Sequence, residues 1–232
     1  MKYPNALSGL RSLRAAEILE IWVLALTAVM SLLALIVPSD TALAVIFILA
    51  LVMLVLAIIA LVKELIGVSR AAKDFSIFGS ARTAIILAMV FSVLGSVLES
   101  VFLLHVILDL AASACSLYAA VLILKGIIAI AQYVKKDNMV ERVQRLLRFV
   151  LISGGLGILL QTAAQFLPED FSSHALAVVI IVLALALGIV KCVLILRCYS
   201  DAVDMLDYDP PGSDWDPERR DPSSDTPWGV YP

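Results

Sequence analysis

TAIILAMVFSVLGSVLESVFLLHVILDLAASACSLYAAVLILKGIIAIAQ, residues Thr83 to Gln132, is apolar almost without a break. A helix rises about 1.5 Å per residue and a bilayer's hydrocarbon core is about 30 Å thick, so about 20 residues make one crossing. The 50 residues of this run are far too many for one crossing and suit two, joined by a tight turn expected near Leu104–Asp109.

Working outward by the same rule, the chain reads as six membrane runs: Ile18–Val37, Thr41–Ile66, Thr83–Leu103, Val106–Gln132, Leu146–Phe166 and His174–Arg197. The composition demands lipid, since 62% of the 232 residues are apolar, only 16% are charged and the mean hydropathy is +1.01. The expected fold is therefore an all-α, polytopic membrane bundle of six transmembrane helices. Lys2, Arg11 and Arg14 precede the first run, but that run is too long for a cleavable signal, whose apolar part spans about 7–15 residues. It is read as a retained helix.

The distribution of Lys and Arg supports the count independently of hydropathy. All 17 fall before the first run, around the inner ends of the second to fifth, or from the end of the sixth onward. The opposite connections, Pro38-Ser39-Asp40, Leu104–Asp109 and Leu167–Ser173, hold none and are mildly acidic. By the positive-inside rule both termini are expected in the cytoplasm.

Arg82 and Arg148 are 66 residues apart, as are Lys125 and Lys191, so each arginine precedes its lysine by 43 residues. That is enough helix to cross a bilayer up and down. Three tandem helical hairpins, about 18–69, 82–132 and 145–198, are the economical description. Leu61-Val62-Lys63, Ile123-Leu124-Lys125 and Ile189-Val190-Lys191 mark the second helix of each. These lysines are expected to snorkel toward the headgroups. The odd-numbered runs lack the Pro-x-Asp/Glu-x-x-Lys/Arg motif of mitochondrial carriers, and no family resemblance is identified.

The domain plan is a basic N-terminal segment over residues 1–17, a membrane domain over 18–200 and an acidic tail over 201–232. From Tyr199 onward the chain carries nine acidic residues against Arg219 and Arg220, and six prolines interrupt Asp207–Pro232. Such a segment buries too little apolar area to offset its ordering entropy and is expected to be disordered. Trp215 and Trp228 are its candidate anchors for a cytosolic partner.

Candidate chemistry is sparse. Ala84, Ala88, Ser92, Ser96 and Ser100 recur every four residues in the third run, a spacing that forms a groove for another helix or lines a pathway. Gln161, Thr162 and Gln165 are the polar groups of the fifth run, and with Ser92, Ser96 and Ser100 they are the pathway or packing candidates. Glu99, His105 and Asp109 form a candidate outer polar cluster, read chiefly as a wetted turn. Cys115, Cys192 and Cys198 lack metal or disulfide spacing and read as packing residues, with Cys198 near enough to the inner surface to be weighed as an acylation site.

The middles of the runs are read as free of ionisable residues, which disfavours proton-coupled pumps and carriers of charged substrates. No catalytic constellation, cofactor motif, metal motif or nucleic-acid motif is legible. The expectation is a non-enzymatic scaffold or accessory membrane subunit. It would have lipid neighbours, a homo-oligomeric or membrane-complex contact and a cytosolic partner for the tail. The alternatives are a small transporter or channel for an uncharged solute and, more remotely, a lipid-modifying enzyme at Glu99, His105 and Asp109.

Overall fold

A computed structural model describes residues 3–36, 40–165 and 174–207, and all its regular structure is helical. The six helices are α1 (Pro4–Ile36), α2 (Asp40–Ala71), α3 (Ile77–Val97), α4 (Phe102–Tyr133), α5 (Asp137–Gln165) and α6 (His174–Asp207). Among the described residues no strand occurs, and α2, α3, α4 and α5 are long and apolar enough to cross a membrane. The tail, the Pro38-Ser39 turn and the Leu167–Ser173 connection lie outside the described residues.

The helices outrun the hydrophobic runs at the end that carries the basic residues. Pro4 opens α1 fourteen residues before the expected start; lacking an N–H, proline fits a first turn whose donors have no intrahelical acceptor. The acceptor comes from the α2–α3 turn. The Ala6 N–H donates to Asp74 Oδ2 at 2.7 Å and Asn5 Nδ2 donates to Asp74 Oδ1 at 3.0 Å. A carboxylate at this position also faces the positive end of the α1 dipole.

At the other end of the bundle's middle, the α3–α4 turn occupies Leu98–Val101 rather than the expected Leu104–Asp109. The Val101 N–H donates to Leu98 O at 2.9 Å, closing a reversal tight enough to leave His105 and Asp109 on the helix. α4 ends in a Schellman motif, with Lys136 N–H donating to Ala131 O at 2.9 Å and Lys135 N–H to Gln132 O at 3.1 Å. Lys135 takes the left-handed position, φ 57°, usually filled by glycine.

Burial concentrates at the basic end. Leu10, Leu13, Val68, Phe78, Ile123, Ile127, Ile130, Met139, Val143 and Val150 are almost wholly enclosed, and one apolar cluster joins all six helices there. α4 is the central element, with half of its most apolar stretch buried, against 6% for α2. α1 packs chiefly on α2 and then on α6, while α4 packs on α3 and α5. The first two hairpins therefore form packed pairs. In the third, α5 and α6 touch little among the described residues; α6 closes on α1 instead.

α6 also runs through Asp207 with Ala202, Val203 and Leu206 buried, so the residues expected to begin a disordered tail at 201 belong to the bundle. Cys198 is buried as well, which removes it as an accessible acylation site.

Two close approaches define the packing. A Cβ on Gly9 would lie 2.5 Å from Gly67 O, and one on Gly67 would lie 2.8 Å from Gly9 O, so α1 and α2 meet backbone to backbone. Ser12 Oγ donates to Lys63 O at 2.8 Å and Arg70 to Ser8 Oγ at 2.8 Å along the same seam. On the other side, the enclosed ring of Phe78 covers Gly126, where a Cβ would meet Phe78 Cζ at 2.5 Å. In lipid, where no hydrophobic effect draws helices together, such contact is the main source of association.

Candidate functional site

The polar residues singled out from sequence are placed apart. Glu99 is exposed in the α3–α4 turn. His105 is half-buried on α4, its Nδ1 3.1 Å from Gly95 O across the hairpin, and Asp109 lies one turn further along. The bond to Gly95 occupies the imidazole in holding two helices together. The three side chains do not bring metal-type ligand atoms together.

On α3, Ala84 is buried and Ala88 half-buried, but Ser92 and Ser96 are exposed, as is Ser100 in the α3–α4 turn. The buried position at that level is Gly95, against His105 and Leu108 of α4. The stripe thus supplies no intramolecular groove beyond Ala88, because the helix presents Gly95 and not Ser96 to its partner. Ser96 Oγ donates to Ser92 O at 3.1 Å, and on α5 Thr162 Oγ1 donates to Ile158 O at 2.8 Å; each hydroxyl is satisfied by its own helix. The side chains of Gln161 and Gln165, and Trp215 and Trp228, lie outside the described residues.

A different cluster assembles where α1, α2 and α6 meet. Glu17 and Glu20 are three residues apart on α1 and so share a face. α6 brings Lys191 and Cys192 against that face, and α2 brings Glu64. Carboxylate oxygens of Glu17 and Glu20 and the Cys192 Sγ all lie within 4.8 Å of one another. Glu17 is only 6% exposed and Cys192 3%, whereas Glu20, Glu64 and Lys191 are half-buried.

The Cys192 thiol lies beside the Glu17 carboxyl, and Glu17 Oε1 is sealed from solvent with no partner. Tyr199, two turns beyond Cys192 on α6, is buried toward the same acids. Three carboxyls gather near one ammonium, and a buried carboxylate without a partner, as Glu17 is at Oε1, is costly. The arrangement suits the uptake of protons or of a cation.

Sequence reading passed over this cluster. Glu20 stands at the edge of the run Ile18–Val37 and Glu64 at the edge of Thr41–Ile66, where a carboxylate reads as wetted by headgroups. The signal was the i, i+3 pair on one face of an otherwise apolar helix. What it lacked was α6: nothing in the spacing says that Lys191 and Cys192 pack on α1. Lys191 accordingly faces acidic side chains, and not only the headgroups.

The chain matches no protein-family model, no curated protein and no solved structure.

Proposed function

We propose that the protein is a non-enzymatic membrane component, a scaffold or accessory subunit. In this reading it crosses the bilayer six times and presents its basic end, with both termini, to the cytoplasm. The observation that carries the proposal is the placement of the packed core. Side chains are enclosed where all six helices converge at the basic end, while the described parts of α2, α3 and α4 away from that end are coated with exposed aliphatic groups suited to lipid. A rigid inner platform beneath a lipid-facing collar fits recruitment better than turnover.

In this reading the acidic segment after Asp207 offers Trp215 and Trp228 to a cytosolic partner. The exposed serines of α3 are available to a second copy or another membrane subunit. The solute-path alternative gains nothing from Ser96 and Thr162, which bond to their own backbones, and the enzyme alternative nothing from Glu99, His105 and Asp109, which stay apart.

Two experiments test the proposal. Cysteines placed at Asp40 and Glu169 should react with an impermeant thiol reagent from outside intact cells, while one at Lys136 stays protected; the opposite pattern rejects the orientation. A pull-down with the intact chain should lose a cytosolic partner when Trp215→Ala and Trp228→Ala are combined, and an unchanged set of captured proteins removes the recruiting role.

A further inference from the structure

We propose that Glu17, Glu20 and Cys192 bind a thiophilic divalent metal ion of the zinc class. Three side chains from two helices already hold their ligand atoms within 4.8 Å. A tetrahedral zinc ion bonded to carboxylate oxygen and thiolate sulfur spaces its ligand atoms about 3.5 Å apart, so small rotations of the two glutamates complete the half-shell. The observation that points to a ligand is Glu17, one of the three, a side chain more than nine-tenths buried whose Oε1 lacks any protein partner.

The donor set selects the class of ion. One thiolate with two carboxylates discriminates against calcium and magnesium, which take oxygen alone, and favours zinc and its spectroscopic substitutes cobalt and cadmium. Charge agrees. On binding, Cys192 and any protonated glutamate release their protons to solvent. Two carboxylates and a thiolate then carry −3, which Lys191 and a divalent ion cancel. Partial exposure of Glu20 and Lys191 leaves that side of the cluster open for the ion to enter.

Such an ion would tie α1 to α6, the contact that closes the bundle in place of the expected α5–α6 pairing. The site rests on this geometry alone and does not depend on a recruiting role for the tail.

The test uses the full chain, purified in detergent after chelation and titrated with Co²⁺. One equivalent should bind with a thiolate-to-metal charge-transfer band in the near ultraviolet, and Zn²⁺ should abolish the band by displacement. Cys192→Ser should lose the band and weaken binding by at least about tenfold, as loss of a ligand does, whereas Cys115→Ser should keep both. Zn²⁺ should also shield Cys192 from alkylation in the unmodified chain, read by mass spectrometry, which keeps the proposal testable if Glu17→Gln or Glu20→Gln fails to fold. Absence of a stoichiometric band in the intact chain, a band that survives Cys192→Ser, or alkylation of Cys192 indifferent to Zn²⁺ would each overturn the site.

Discussion

Gly67 shows how much a single hydrogen atom can decide. Its missing side chain lets the α1 and α2 backbones touch, and a methyl there would meet Gly9 O at 2.8 Å and Leu13 Cγ at 2.9 Å. Backbone on a packed helix cannot yield as a flexible side-chain tip does, so Gly67→Ala should cost about 1–3 kcal/mol. Gly155, in mid-helix on α5 with nothing within 4 Å, is the control. There alanine should be neutral or stabilising by up to about 1 kcal/mol, because glycine is the poorer helix former. Melting temperatures in one detergent compare the two directly, and equal shifts would mean that the α1–α2 contact is looser than the geometry implies.

The α3–α4 hairpin carries a second, opposed pair of expectations. Sequence spacing put Ser92 and Ser96 in a groove, which would make Ser92→Leu disruptive; with both serines facing outward, that variant should melt with the parent. Gly95 holds the buried place, and a Cβ there makes only ordinary contact, 3.6 Å to Leu108 Cβ. Gly95→Ala should therefore be tolerated. Gly95→Leu should cost about 1–3 kcal/mol through overpacking and should displace His105 from Gly95 O. A melting point unchanged by Gly95→Leu would reverse this assignment of the packed face.

Among whole elements, α1 depends on a residue that is not its own. Asp74, in the α2–α3 turn, accepts from the Ala6 N–H and from Asn5, so Asp74→Ala strips a cap from a helix 68 residues away in sequence. Loss of a cap costs about 0.5–2 kcal/mol, and here it falls on the first turn of α1. Hydrogen exchange at Ala6 and Leu7 should accelerate while the amides of α4 keep their protection. Uniform acceleration across the bundle would mean instead that Asp74 supports the entire fold. The exposed pairs Arg11–Asp207 and Arg142–Asp201, by contrast, join elements without much energy, since solvent screens them.

At the scale of the molecule, the bundle extends at least through Asp207, the end of α6. Removing residues 209–232 should leave thermal stability nearly unchanged. Ending the chain after Ser200 should lower it sharply, because Ala202, Val203 and Leu206 leave the apolar cluster. Equal melting temperatures for the two truncations would return Asp201–Asp207 to the tail.

The sequence by itself determined that this chain is helical and apolar enough for lipid, and it located the apolar stretch of each helix, although α1, α5 and α6 run nine to fourteen residues past the expected limits at the basic end. Hydropathy is a sum over neighbours in the chain, and a run such as Thr83–Gln132 needs no tertiary partner to declare itself. It also pointed to a reversal between α3 and α4, but mislaid it by about two turns, because Glu99, His105 and Asp109 look equally wet in sequence whereas the fold gives His105 a carbonyl to bind. What only the tertiary structure decided is which surfaces meet. Apart from the amphipathic first half of α5, where Met139, Val143 and Val150 are buried and Glu141, Arg142 and Arg145 exposed, the apolar stretches leave periodicity little to mark, and the choice falls to close-range shape: Gly9 against Gly67, Phe78 over Gly126, Gly95 rather than Ser96. The convergence of Glu17, Glu20, Glu64, Lys191 and Cys192 belongs to the same class of fact, because it exists only once α6 has closed on α1.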